Sequence, residues 1–282
     1  APTPGQQFTQ NVQTAFPNGS PVPVAVATVR PDSIVGIAYG SAPLKPEKST
    51  SFSGGLVITP GGGFTFTLDY YNIKVKDRIG ITGNFNVTAA NRTALLGLGV
   101  ANALDLGQIN FFTNGFATRT QGVDAVLTHR ATTEIGSFNT SLAVNWNKTV
   151  VTDIRSVTQS AAIGGTAQPL IDRVREGNIE ESLPRWRAVL SETFTSGMFD
   201  VTARVNYASS ITTYFAPATG FDPAFAALYP NPWPKTFSAE VWGDLEVGIT
   251  FEEKYRIAVG GQNIFNNYPE RETRNIYPQT GG

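Results

Sequence analysis

The connections of this chain alternate in length, and few folds accommodate that alternation. Residues 60–63 (PGGG) make a tight turn, 80–107 a long irregular loop, and 132–137 a short turn again. Residues 154–183 are long, 195–197 short, 215–235 long and 252–254 short. The runs between them are β-type, so every short turn falls at one end of the sheet and every long, aromatic-rich loop at the other. A soluble sandwich has no reason for such segregation. An outer-membrane β-barrel does, because its periplasmic turns are short and its extracellular loops long.

The runs themselves have the period of two that a strand requires. Phe64, Phe66, Leu68 and Tyr70 share one face, against Thr65, Thr67 and Asp69. Phe138, Thr140, Leu142, Val144 and Trp146 likewise oppose Asn139, Ser141, Ala143, Asn145 and Asn147. Phe199, Val201, Ala203, Val205 and Tyr207 oppose Asp200, Thr202, Arg204 and Asn206, and Phe237, Ala239, Val241, Leu245, Val247, Ile249 and Phe251 oppose Ser238, Glu240, Asp244, Glu246 and Thr250. A soluble antiparallel sheet with one wet face gives the same alternation, so strand length has to decide. Runs such as 108–131 and 137–153 exceed the roughly 5–6 residues of globular strands and the roughly 9–11 that cross a bilayer. The reading is all-β: an antiparallel transmembrane β-barrel, present in part as about eight long strands at 49–59, 64–79, 108–131, 137–153, 184–194, 198–214, 237–251 and 255–264. In 184–194 Trp186, Ala188 and Leu190 share their face with Glu192, an imperfect pattern.

Composition removes other classes. The 282 residues carry a formal net charge of -1 with 15% charged residues, so no basic surface points to nucleic acid. Without cysteine and with a single histidine, thiolate metal sites, disulfides and imidazole-held zinc or haem have no ligands to build on. Mean hydropathy is -0.11, and the longest apolar runs fall short of the roughly 18 residues of a helical span, which leaves a barrel untouched. The first residues, APTPGQQ, lack a charged n-region and apolar core, so the expectation is a mature chain or a piece of a longer one. No nucleophile has a visible base partner: His129 lies near a strand end, and Glu180-Glu181 and Glu252-Glu253 read as solvated loop and turn acids. The expectation is therefore no enzyme and no cofactor. Gly61-Gly62-Gly63 and Gly97-Leu98-Gly99 lack phosphate-loop context, Asn86-Val87-Thr88 and Asn91-Arg92-Thr93 match the glycosylation pattern by chance in an Asn/Thr-rich chain, and 89–106 has the spacing of a short helix packed in an external loop.

Specific residues then carry a family resemblance. Leu44-Lys45-Pro46-Glu47-Lys48-Ser49, followed by a strand, the PGGG turn and FTFTLDYYNIKVKDRI, resembles a barrel signature of TonB-dependent outer-membrane receptors. Thr120-Gln121-Gly122-Val123-Asp124 resembles the opening of another of their strands, and Gly260-Gly261-Gln262-Asn263-Ile264-Phe265-Asn266-Asn267-Tyr268-Pro269 the motif before their last strand. The matches keep the family's order. Physically they are architectural: Pro46 suits a strand entry, Gly122 a bulge or close approach, and Asn263 with Tyr268-Pro269 a strand end. The resemblance implies a 22-stranded barrel around a plug, located in the outer membrane and driving uptake of a siderophore, corrinoid or oligosaccharide. Its implied partners are the lipid bilayer, the plug and remaining strands, the TonB protein acting through an N-terminal part, and a small-molecule or oligosaccharide ligand. No plug or coupling box is recognisable here, and the chain stops where the family continues into a final aromatic-ended strand, so a C-terminal fragment is expected. On this reading 1–47 is extracellular loop and strand lead-in, 48–264 the barrel strands, and 265–282 the last extracellular loop.

Ligand contacts on such a wall come from long loops and inward strand ends, because the outward face is committed to lipid. Aromatics for stacking and arginines for forked hydrogen bonds nominate Arg173, Arg175, Tyr214, Phe221, Phe225, Tyr229, Trp233 and Arg271. Two alternatives share the pattern: a passive porin-like channel, and a secreted carbohydrate-binding module using Trp233 and Tyr229 as platforms.

Overall fold

Backbone pairing runs without interruption across the largest part of the molecule. The computed structural model describes residues 1–15, 24–215, 233–252 and 254–271. The chain opens with α1 (Pro4–Phe8), β1 (Asn11–Ala15), β2 (Val24–Thr28) and α2 (Ile34–Ala38), then enters two long strands, β3 (Lys48–Gly61) and β4 (Phe64–Ile81). A long connection carries β5 (Phe85–Asn86), α3 (Ala89–Gly97) and β6 (Leu106–Asn110) before β7 (Phe112–Thr133) and β8 (Gly136–Ile154). The next connection holds β9 (Ser156–Thr158), β10 (Ala167–Pro169) and α4 (Arg173–Glu181). The remainder is β11 (Trp186–Ser196), β12 (Phe199–Ala208), β13 (Ile211–Phe215), β14 (Trp233–Phe237), β15 (Glu240–Phe251) and β16 (Tyr255–Gly261). Eight of these form one antiparallel sheet in the order β16-β15-β12-β11-β8-β7-β4-β3, each strand beside the next one along the chain. The sheet is not closed, so β3 and β16 are its edges.

The expected eight strands and their antiparallel order hold, with three corrections. The run 108–131 is two elements, because at Phe111, fully buried at 0% exposure, the chain leaves a second sheet and enters the wall. The run 198–214 divides after Ala208, and 237–251 divides before Glu240; the freed ends pair with each other as the β13–β14 hairpin. The imperfect 184–194 strand is well formed from Trp186 onward, pairing β8 on one side and β12 on the other.

Register puts the expected faces together across the sheet, and on its last pair of strands Val247 faces Val259 and Ile249 faces Ile257. Ile58, Phe66, Leu127, Leu142, Leu190 and Val205 follow one another as cross-strand partners, and so do Leu56, Leu68, Ala125, Val144, Ala188, Tyr207 and Val241. Side chains of this face remain open to the surroundings, Ile58 at 50% and Val205 at 48%, as a wall solvated by lipid requires. Ring pairs bound the apolar band: Phe138 with Phe194, centroids 4.7 Å apart, and Trp146 with Trp186, 6.3 Å apart. The two pairs are separated by about 27 Å of strand, or roughly 20 Å along a membrane normal after the usual tilt, the height of a lipid-facing band between aromatic girdles. Within the apolar band Glu192 is the one carboxylate on this face among the described residues. It accepts a 2.6 Å bond from Thr140 and stands two residues from the Phe194 girdle.

The short turns use glycine where left-handed backbone is needed: Gly61, Gly62 and Gly63 have φ of 94°, 61° and 80°. At the other end the motif residues tie strand tops together. Asn114, 8% exposed, accepts from Lys45 N (2.7 Å) and donates to Lys45 O (2.9 Å) and Asp77 O (2.6 Å). Glu47 accepts from Ile79 N at 2.7 Å, and Arg155 forms an ion pair with Asp77. Gly122 is a close approach rather than a bulge, since a Cβ there would lie 2.2 Å from the Tyr71 ring. Asn263, at φ 49°, donates to Asn267 O and accepts from Asn267 N, ending the last strand.

The buried core lies beyond the wall, among the long connections. Strands β1, β2, β6 and β5 form a mixed sheet in that order, β2 and β6 parallel. Around it pack Tyr39, Phe85, Leu95, Ile109, Phe111 and Ile163, and burial pushes the Tyr39 phenol up to about 12. Short segments with no clear periodicity build this layer.

Leu142 sits midway between the two girdles on the apolar face, and Asn145 on the opposite one. Replacing Leu142 by Arg in the full-length protein in phospholipid vesicles is expected to cost about 2–4 kcal/mol of unfolding free energy, whereas Asn145→Arg changes it little; denaturant titration of both variants is the check.

Candidate ligand site in the long-loop layer

Of the nominated residues, those that the structure describes do not converge on one another. Asp172 caps α4 by accepting from Arg175 N at 2.8 Å, which sends the next two arginines in different directions. The Arg173 guanidinium lies 5.1 Å from the Tyr214 ring centroid and 3.1 Å from Glu176, and that carboxylate raises its pKa. Tyr214 is held in turn: Asn178 accepts from its amide at 2.8 Å and donates to its carbonyl at 3.0 Å, and its hydroxyl donates to Glu181 at 3.3 Å. Gly177 permits this, because a Cβ there would meet the Tyr214 ring at 2.3 Å. Arg175 instead turns inward, donating to the Ile81 carbonyl at 2.6 Å, and burial lowers its pKa. Trp233 enters β14 opposite Phe215, Arg271 is exposed, and Phe221, Phe225 and Tyr229 lie outside the described residues. Arg173 and Tyr214 are thus brought together, and Arg175 anchors the loop to the top of β4.

A different set of side chains lines an open groove of about 400 Å³ between the first two long connections. Its polar lining is Asn84, Asn86, Thr88, Asn91, Gln159, Thr166 and Gln168, with Ala90, Ala162 and Ile163 as apolar floor and no ionisable side chain. The walls are fixed to each other, since Asn91 donates from Nδ2 to the Ile163 carbonyl at 2.7 Å, and the second connection is closed on itself where Gln159 N donates to Thr166 O at 3.0 Å. Behind the groove runs an amide relay. Asn110 donates to Asn84 at 2.8 Å, Asn84 to Gln108 at 3.3 Å, and Gln108 to Asn86 at 2.9 Å. Of the relay amides, the Asn86 nitrogen is the one that donates to no other member, so both its N–H groups are left for the groove. Thr88 and Asn91, which fit a glycosylation pattern in the sequence, form the capping box of α3.

Sequence reasoning passed over this groove because it weighted aromatics and arginine. The available signal was the density of Asn, Gln and Thr in two loops that antiparallel topology makes neighbours. Among the described residues no cluster of His, Cys, Asp and Glu could hold a metal ion, and no helix is long and apolar enough to cross a membrane.

Comparisons with known proteins agree with this architecture. The family model described as TonB dependent receptor-like, beta-barrel, matches residues 1–264. The fold resembles the crystal structure of the outer membrane transporter YddB of Escherichia coli, with a TM-score of 0.53 at 10% identity, over 80% of this chain and 30% of that one. It also resembles the pyoverdine outer membrane receptor FpvA of Pseudomonas aeruginosa, with a TM-score of 0.50 at 11% identity, over 82% of this chain and 28% of that one. The chain therefore spans under a third of those structures. Comparison with curated protein sequences finds no match.

The two neighbouring arginines make a direct contrast. Arg175→Gln removes a charge-assisted bond to a partly buried carbonyl and is expected to destabilise the loop by about 1.5–3 kcal/mol, seen as faster amide exchange over α4, whereas Arg173→Gln at the exposed ion pair changes exchange little.

Proposed function

The chain belongs to the TonB-dependent receptor-like β-barrel family and lies in the outer membrane, and from that premise we propose that it supplies part of the wall of a receptor for energy-coupled uptake of a scarce nutrient. The observation that carries this reading is the wall itself, with one continuous apolar face over eight strands and a folded layer of long connections at one end only. In this reading residues 48–264 are the wall, 1–47 its external lead-in and 265–282 an external loop. Its partners are the plug and the TonB protein of the complete receptor. The short turns face the periplasm and the loop layer faces outward.

The groove favours one ligand class. A charged ligand entering a cleft without counter-charges would lose hydration with no compensation. Side-chain amides, each offering two donors and an acceptor, match the paired hydroxyls of a neutral oligosaccharide, and the Ala90, Ala162 and Ile163 floor receives the C–H face of a sugar ring. A volume near 400 Å³ lies within the range of small-molecule sites.

Two experiments test this. With Thr166→Cys or Gly62→Cys in the full-length receptor, an impermeant maleimide applied to intact cells is expected to label the first and spare the second; labelling of the second alone would reverse the orientation. On an array of neutral and uronate-bearing oligosaccharides, the receptor is expected to bind neutral members, and Asn86→Asp, which loses the outward donor, to weaken that binding about tenfold. Binding confined to acidic members, or none, would reject the ligand class and leave the orientation test standing.

A further inference from the structure

The groove contains a buried side chain whose hydrogen-bonding groups are idle. Gln159 follows directly on β9, and the alternation of that strand turns it the same way as Val157, which packs against the core. The side chain is therefore only 7% exposed, although it lines the groove. Its backbone is pinned on both sides, since Gln159 N donates to Thr166 O at 3.0 Å and Ser160 N to Ala38 O at 2.8 Å. The amide itself has no hydrogen-bond partner among the described residues, yet it is not sealed off as the unpartnered Ser41 and Ser160 hydroxyls are. Asn91, the other buried polar side chain of the lining, is by contrast fully used. It donates to the Ile163 carbonyl and accepts from Thr88 N at 2.9 Å and Thr88 Oγ1 at 2.7 Å.

A folded protein buries an amide with its partners in place, so an idle one that still reaches a groove is matched to a polar group arriving there. The facing side of the groove restricts what that group is. Asn86 has its oxygen taken by Gln108, so it presents donors alone. Gln159, from the second connection, offers an acceptor as well. Ala90, Ala162 and Ile163 add apolar surface to the same lining, which a hydroxyl cannot use. A trans secondary amide carries its C=O and its N–H on opposite edges. Such a group takes a donor from one side and an acceptor from the other, and an acetyl methyl covers the apolar floor.

From this arrangement we propose that the groove recognises the acetamido group of an N-acetylated amino sugar, with Asn86 donating to the acetamido carbonyl and Gln159 Oε1 accepting from its N–H. The inference rests on the neutral-oligosaccharide reading above and narrows it to acetamido sugars. Asn91, committed to the Ile163 carbonyl, holds the two sides at a fixed separation and makes no contact of its own with the acetamido group.

The test is calorimetric titration of the purified full-length receptor in detergent with the trimer of N-acetylglucosamine and with the matching glucose trimer, which carries a hydroxyl in place of each acetamido group. The wild type is expected to bind the acetylated trimer about tenfold more tightly. Gln159→Met, similar in length but without the amide, is expected to bring the two affinities within about twofold of each other, with a melting temperature no lower than that of the wild type, because the lost amide had no partner. A purely structural glutamine would lower the melting temperature and weaken both trimers alike, which overturns the proposal. So does a preference that survives in Gln159→Met. Equal binding of the two trimers by the wild type overturns it as well and leaves the neutral-oligosaccharide reading standing, whereas binding of neither removes both.

Discussion

In hydrocarbon a peptide group without a partner has no water to turn to, at a cost of several kcal/mol for each. The unbroken ladder from β3 to β16 is therefore the constraint on which the rest of this structure depends. It requires strands long enough to cross, and β4, β7 and β8 extend well beyond that minimum. It also requires an apolar outward face, which leaves only the inward face and the ends for polar chemistry. On the inward face, near the short turns, Arg256 joins Asp200 and Glu246 at 2.6 Å each, an ion cluster that the outward face could not hold.

The same constraint explains where the core sits. A wall solvated by lipid needs no interior of its own, so the fully buried side chains gather where the long connections must fold in water. Tyr39, Phe85, Leu95 and Phe111 come from separate stretches of chain, joined by a parallel pairing of β2 with β6 that local pattern does not announce.

That difference decides what could be read from the residues. Alternation over many positions, as in Phe64 to Tyr70 or Phe138 to Trp146, is a local signal that register then confirms strand by strand. Strand ends were less legible: 108–131 reads as continuous because the Phe111 break is a tertiary event, in which a buried ring takes the chain from one sheet to another. The candidate groove was least legible of all. Arg175 and Tyr214 have the chemistry of ligand contacts, yet the first is used by the Ile81 carbonyl and the second by Asn178 and Glu181. The groove is made of amides that look unremarkable singly and acquire meaning only when Asn84, Gln108 and Asn86 are placed in one relay.

The central claim is that one face of this sheet lies in lipid and the other in water. Spin labels placed singly at each position of β8 from Phe138 to Asn147, in the full-length protein in liposomes, test it most directly. Collisions with oxygen are predicted to peak at Phe138, Thr140, Leu142, Val144 and Trp146, and collisions with a water-soluble nickel chelate at the alternate positions. Equal access of the nickel chelate to all ten positions would contradict the account and leave a sheet wet on both faces.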